Sequence, residues 1–244
     1  MPEKEERFYR YQHQSKADWL TFQTRYRETD LWIRSRKDLR QEALTAVLRY
    51  RRQLEQYIAA SPQFLTSLAP LPEDSLAPPL ARWMIEASRT AGVGPMASVA
   101  GAVAQSVARD LKLLTPALII ENGGDCYLDI QEEMTVGIYA GPDSPFSGRM
   151  ALRFPAERFP LGVCTSSGTV GHSLSFGKAD AVTVVSKDAA LADAAATALG
   201  NMVQNPGHIK KALARAAQIP DIEGVLIIVK DKMGLWGDLE IIPL

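Results

Sequence analysis

Two polar side chains interrupt an otherwise apolar stretch. Residues 189–199 read Ala-Ala-Leu-Ala-Asp-Ala-Ala-Ala-Thr-Ala-Leu, and only Asp193 and Thr197 are polar. A helix of this composition is buried on nearly every face. The i, i+4 spacing puts both side chains on one face, with Cβ atoms about 5–6 Å apart. A bare carboxylate is costly to bury, so Asp193 needs a partner. A Mg²⁺ ion meets that need, because a carboxylate, a hydroxyl, waters and phosphate oxygens complete its octahedron. Capping of a neighbouring backbone N–H by Asp193, with Thr197 bonded back to its own helix, would satisfy the same residues without metal. Spacing alone favours this second role, since structural buried carboxylates are common.

Upstream lies Cys164-Thr165-Ser166-Ser167-Gly168-Thr169-Val170-Gly171-His172-Ser173. Small hydroxyl residues and glycines after a strand can turn successive N–H groups inward as an anion nest; an ordinary surface loop has the same composition. His172 is the only histidine in such a setting, because His13 and His208 sit among charged or helical positions. Asn122-Gly123-Gly124-Asp125 reads as a tight hairpin turn, or as a place where a flat ring or phosphate approaches the backbone. Three apparent motifs fail. Gly92 to Ala97 fits G-x-G-x-x-A, but a dinucleotide fingerprint needs a preceding strand, and residues 83–89 read as helix. Gly177-Lys178 resembles the end of a phosphate loop, but Ala179 replaces the hydroxyl. Ser166, Ser167 and His172 lack the G-x-S-x-G of a serine hydrolase.

Composition narrows the class. The 244 residues carry 27 basic and 28 acidic side chains, which argues against nucleic acid or an anionic membrane as partner. Two cysteines, Cys126 and Cys164, make neither a disulfide framework nor a metal pair. A reduced, cytoplasmic setting is expected. Residues 1–10 show no signal peptide, and no apolar run approaches the ~18 residues of a membrane span.

Elements must position these residues. Alternation around Phe22, Thr24, Tyr26, Leu31 and Ile33 predicts one or two strands in the first 35 residues. Leu44, Val47, Leu48, Leu54 and Ile58 predict a helix over 38–60. Residues 61–79, with five prolines, predict a loop or arm. Helices follow over 79–89 and 96–111, the second with a small face of Ala97, Ala100, Gly101, Ala104 and Ala108. Such a face allows close approach to another element or to a ligand. Strands are predicted over 118–120, 127–130, 135–139, 150–154, 161–165, 181–186, 224–230 and 239–242. Helices are predicted over 188–199, ended by Gly200-Asn201, and over 208–217. Strand clusters with helix pairs imply α+β, with largely antiparallel sheets and packed helices. The chain reads as one domain, 1–244, with an N-terminal strand–helix region, 1–60, able to serve a homodimer.

In chain order, a glycine turn opening a small-residue helix (Gly94 to Ala104), Glu121-Asn122-Gly123-Gly124-Asp125, Thr165-Ser166-Ser167-Gly168 with His172, and a strand followed by Ala192-Asp193-Ala194-Ala195-Ala196-Thr197 resemble the ApbE, or FAD:protein FMN transferase, superfamily. The likeness spans about residues 85 to 205. Gly-Val-Gly-Pro-Met-Ala and Thr-Ser-Ser-Gly-Thr-Val-Gly-His-Ser are most similar to an uncharacterised prokaryotic ApbE-like family. The resemblance implies an ApbE/T-fold-like architecture that binds FAD or a related nucleotide with Mg²⁺. It also implies transfer of the FMN moiety to a Thr or Ser of a partner flavoprotein. By position, Asp193 and Thr197 would be metal ligands and His172 the catalytic residue. Gly94, Pro95, Asn122, Gly123, Gly124 and Asp125, with Thr165, Ser166, Ser167 and Gly168, would line the nucleotide. The chain departs from the family after His172, where Ser173 to Lys178 lack the Asp-Pro and Thr-Gly of the H-x-x-D-P-x-T-G loop. Ala97 also stands where a lysine is expected. A pocket retained for binding without transfer is the alternative.

Overall fold

The computed structural model describes residues 19–169 and 176–244. Alternating apolar residues build β1 (Leu20–Tyr26) and β2 (Thr29–Ser35), which pair antiparallel. Leu31 and Ile33 are fully buried toward the helices, while Trp32 and Arg34 alternate to the other face. The strands β3 (Leu118–Asn122), β4 (Asp125–Asp129), β7 (Leu161–Ser166), β8 (Ala181–Ser186), β9 (Ile222–Val229) and β10 (Lys232–Gly237) extend this pair into an eight-stranded sheet. Its order is β1-β2-β3-β4-β7-β8-β9-β10, and every pairing is antiparallel. Between β4 and β7 the chain leaves to form β5 (Met134–Gly137) and β6 (Met150–Phe154). These join β11 (Glu240–Pro243) in a second, three-stranded sheet.

The large sheet is apolar on both faces because both are covered. One face and the helices share a core running in sequence from Phe22 to Val229. The other face packs Ile119, Leu128, Val163, Val185, Leu226 and Ile228 against Leu152 and Phe154 of the small sheet. The helices are α1 (Arg40–Ala60), α2 (Gln63–Thr66), α3 (Pro79–Ala91), α4 (Val99–Lys112), α5 (Ala189–Met202) and α6 (Ile209–Ala216). The expected α+β architecture with antiparallel sheets is what the chain adopts. Among the described residues, no single helix is long and apolar enough to cross a membrane.

Several boundaries differ for physical reasons. The Pro-rich stretch is not all loop, because Phe64 is fully buried and anchors α2. The buried stripe of α1 is Ala43, Ala46, Val47 and Leu54, with Leu44 and Leu48 only half-buried. Helix α5 runs through Gly200-Asn201 instead of ending there. Gly200 presents its carbonyl to Gly177, and Asn201 Oδ1 accepts from Phe176 N–H at 2.9 Å, so these residues serve a neighbouring loop. Strand β10 escapes the sequence pattern because its Met233 and Leu235 lie 40% exposed on the sheet edge.

Candidate functional site

The connections after β3, β7 and β9 lie at one end of the large sheet. Asn122 and Asp125 face each other across a two-residue hairpin whose Gly123 and Gly124 have φ of 70° and 105°. Two successive positive φ values define a turn that side chains strain. Gly124 N–H also donates to Glu121 Oε1 at 2.8 Å. Gly124→Ala is therefore expected to cost about 1 kcal/mol or more, read as a lower urea midpoint with unchanged slope.

Three elements meet beside this hairpin, α4, β7 and α5. Asn122 Nδ2 donates to the Ala100 carbonyl in the first turn of α4, at 3.1 Å. Asp125 Oδ1 accepts from Thr165 N–H at the end of β7, at 3.1 Å. Asp193 Oδ2, from the middle of α5, accepts from Gly101 N–H at 2.9 Å. Ser98, at the start of α4, makes no side-chain cap, so Asp193 fills that role from another helix. The exchange is reciprocal: Gln105 Oε1 of α4 accepts from Ala189 N–H in the first turn of α5, at 2.7 Å. Asp188 caps α5 by accepting from Leu191 N–H, and it also accepts from Trp83 Nε1 at 2.7 Å.

The small face of α4 has a packing cause. A methyl on Gly101 would land on the Ala189 carbonyl and lie 3.0 Å from Asp193 Cβ. The Gly94-Pro95 turn opens a 3-10 segment, Pro95–Ser98, and the space over Gly94 is filled by the Ser67 backbone. Thr165 Oγ1 pairs with Thr183 Oγ1 at 2.9 Å across β7 and β8. Ser166 is buried. Gly168 N–H donates to the Ala179 carbonyl at 2.9 Å. Gly168 thus lies against residues 177–179. Thr197, half-buried, stands one turn beyond Asp193 on α5. His172 falls in the segment 170–175, outside the described residues.

The electrostatics centre on two acids. Burial, then the neighbouring Asp193 charge, pushes the Asp125 carboxyl well above the usual carboxylate range; Glu121 adds to this, while Thr165 N–H and the Cys164 thiol pull it down. Burial pushes Asp193 up to about 7 against the pull of Gly101 and Ala100 N–H. Cys164, fully buried, has its thiol raised by burial and then by both acids. It stays protonated and is no nucleophile. Neither Asp125 nor Asp193 makes an ion pair among the described residues. Sequence reasoning named Asp125 as a turn residue that would line the nucleotide, and missed Glu121 and Cys164 as its neighbours; only the β3–β4 and β4–β7 pairings bring them together.

An acid raised by folding costs stability when ionised. That cost is fully present above the folded value, about 7 for Asp193, and disappears as pH falls toward the unfolded value near 3.8. Without divalent cations, stability is expected to fall as pH rises through this window, by on the order of a few kcal/mol. Urea midpoints in EDTA, compared between wild type and Asp193→Asn, check this. A slope equally steep in both proteins would assign the effect elsewhere.

Comparison with known proteins places the chain. A family model described as AbpE bacteria matches residues 10–232. The chain belongs to this family. Among its relatives is a UPF0280 protein of Methanocaldococcus jannaschii, 41% identical over 227 residues, covering 91% of this chain and 92% of the relative. Another UPF0280 protein, from Methanopyrus kandleri, is 41% identical over 217 residues, covering 86% and 87%. Among solved structures, the apo flavinyl transferase ApbE of Pseudomonas stutzeri aligns with a TM-score of 0.54 at 14% identity, covering 89% of this chain and 93% of that one. That likeness establishes a shared fold for this member of the AbpE bacteria family.

Proposed function

We propose that the chain binds the pyrophosphate of a flavin nucleotide or related dinucleotide through Mg²⁺, at the end of the sheet where Asp125 and Asp193 meet. The observation that carries this reading is a pair of neighbouring carboxylates, Asp125 buried and Asp193 half-buried, each raised, with no cationic side chain paired to them among the described residues. The donor set fits the ion. Mg²⁺ is a hard cation that is commonly held by one or two carboxylates, with waters and substrate phosphates completing its shell. Asp193 and Asp125 would hold it, with Thr197 as a further oxygen. Among the described residues no three His, Cys, Asp or Glu side chains form a metal cage, so phosphate oxygens would complete the shell.

When bound, Mg²⁺ would polarise the pyrophosphate and offset its charge. The chain's own residues would do the rest. The Gly123-Gly124 turn would leave the backbone open to a ligand, and Gly101 N–H would orient Asp193. Thr165, Ser166, Ser167 and Gly168 would line the far wall, with His172 in the adjoining segment as proton shuttle. Transfer of an FMN moiety to a partner flavoprotein is the corresponding activity.

A second reading is favoured by one observation: Asp193 Oδ2 is already engaged by Gly101 N–H. On that reading the acid holds α4 to α5, and the site binds a ligand without catalysis or not at all. Native mass spectrometry with Mg²⁺ and FAD, singly and together, separates the two. Retention of FAD only with Mg²⁺ is the expected result. The proposal is lost if FAD fails to bind in the presence of Mg²⁺, or binds equally well without it.

A further inference from the structure

We propose that Arg34 and Arg36, held against Trp19 and Trp32, form a binding site for a compact oxyanion, a carboxylate or a phosphate group. The site lies on the opposite face of the large sheet from the acid pair. In β2, Leu31 and Ile33 point to the helices, whereas Arg34 pairs with Ile119 of the opposite core.

The carrying observation is a buried guanidinium with an orphaned donor. Arg34 is only 5% exposed. Its Nε is buried and unsatisfied. Among the described residues it lies against two rings, Cζ 5.2 Å from the Trp19 centroid and 5.9 Å from the Trp32 centroid, with the Glu132 carboxylate near enough to act on its charge. Cation–π contacts attract the charge but do not satisfy N–H donors. A buried charge without paired donors is costly, and burial lowers the Arg34 pKa, with Glu132 opposing and the nearby Arg36 adding to the fall.

The surroundings select the ligand's sign. Arg36 Cζ sits 4.3 Å from the same Trp19 ring, and its Nη2 is 2.9 Å from Glu132 Oε1. Trp19 Nε1 donates to that same oxygen at 3.2 Å. Among the described residues two guanidinium groups thus lie about one carboxylate, and Glu132 is shared between Arg36 and Trp19. The planar fork of Arg34 matches two oxygens of a carboxylate or phosphate. The indole faces exclude water from its sides, which strengthens the pairing. Free phosphate, acetate, or the acidic group of a larger molecule presents the same oxygens.

Thermal melting of the full chain tests the site. Sodium phosphate and sodium acetate are titrated separately against sodium chloride at matched ionic strength. Wild type is expected to gain a saturable shift on the order of a few degrees with one of the two oxyanions. The anion that gives the shift identifies the ligand group. Arg34→Met should lose the shift while melting at or above the wild-type temperature in chloride, because an unpaired buried charge is removed. Arg34→Lys keeps the charge but loses the fork, and should weaken binding about tenfold or more; it carries the comparison if the Met variant does not fold. No shift beyond chloride in wild type, or an equal shift in the Arg34 variants, overturns the proposal.

Discussion

Asp193→Asn is expected to abolish Mg²⁺-dependent nucleotide binding while leaving the melting temperature within a few degrees of wild type. The amide retains an oxygen for Gly101 N–H, so the link between α4 and α5 survives. It removes the negative charge that would hold the cation. It also removes a carboxyl that burial raises to about 7, so the variant gains stability at alkaline pH in the absence of metal. Asp193→Ala removes charge and cap together. Loss of a helix cap costs about 0.5–2 kcal/mol, which for a chain of this size lowers the melting temperature by roughly 1–8 °C. The two variants therefore separate the roles. Calorimetric titration of Mg²⁺ and FAD, beside melting curves, gives the answer. Wild-type affinity in the Asp193→Asn variant would sink the metal reading, and, joined to a melting loss in the Ala variant, would leave only the helix link. Asp125→Asn should also weaken Mg²⁺ binding, because its carboxyl lies beside the same charge.

How far the chemistry was readable depends on how far apart in sequence its parts lie. The demand of Asp193 for a partner was visible, because a carboxylate in an alanine helix is conspicuous. The partner was not, because Gly101 lies 92 positions away. The small face of α4 announced a close approach but not which of the two possible causes produced it. Gly101 pressed against Ala189 shows that helix packing accounts for at least that position. The strands β6 and β8 follow their predicted bounds to the residue, since both have covered faces that enforce them. Edge strand β10 lacks that enforcement and was not legible. Arg34 was hidden differently. Its place beside Trp32 follows from simple alternation, yet only the packing of Trp19 and Glu132 around it reveals an unsatisfied guanidinium nitrogen. Local pattern thus specifies the elements, while the charges that need each other are joined only by the sheet.

Gly101→Val is expected to be among the most destabilising single changes in the helical layer. Its side chain would begin on the Ala189 carbonyl and against Asp193 Cβ, atoms belonging to a helix wedged between α3, α4 and the large sheet. Backbone cannot yield there as a flexible side chain can, so α4 and α5 must separate. Overpacking of a tight core typically costs about 1–3 kcal/mol, and Val adds a branched Cβ to the crowded turn. A loss near the upper end, about 3 kcal/mol, corresponds to roughly 6–12 °C in melting temperature. Gly101→Ala should lose less, because Ala gains about 1 kcal/mol of helix propensity over Gly. Separation of the helices would also pull Gly101 N–H from Asp193. The two positions are therefore coupled, and a double-mutant cycle of Gly101→Ala with Asp193→Asn should show a non-additive term on the order of 0.5–3 kcal/mol. Additive losses, or a Val variant melting within about 2 °C of wild type, would mean that α4 and α5 are not locked together at this crossing. Asp193 would then be free of its structural duty, and its carboxylate would have only the cation to answer to.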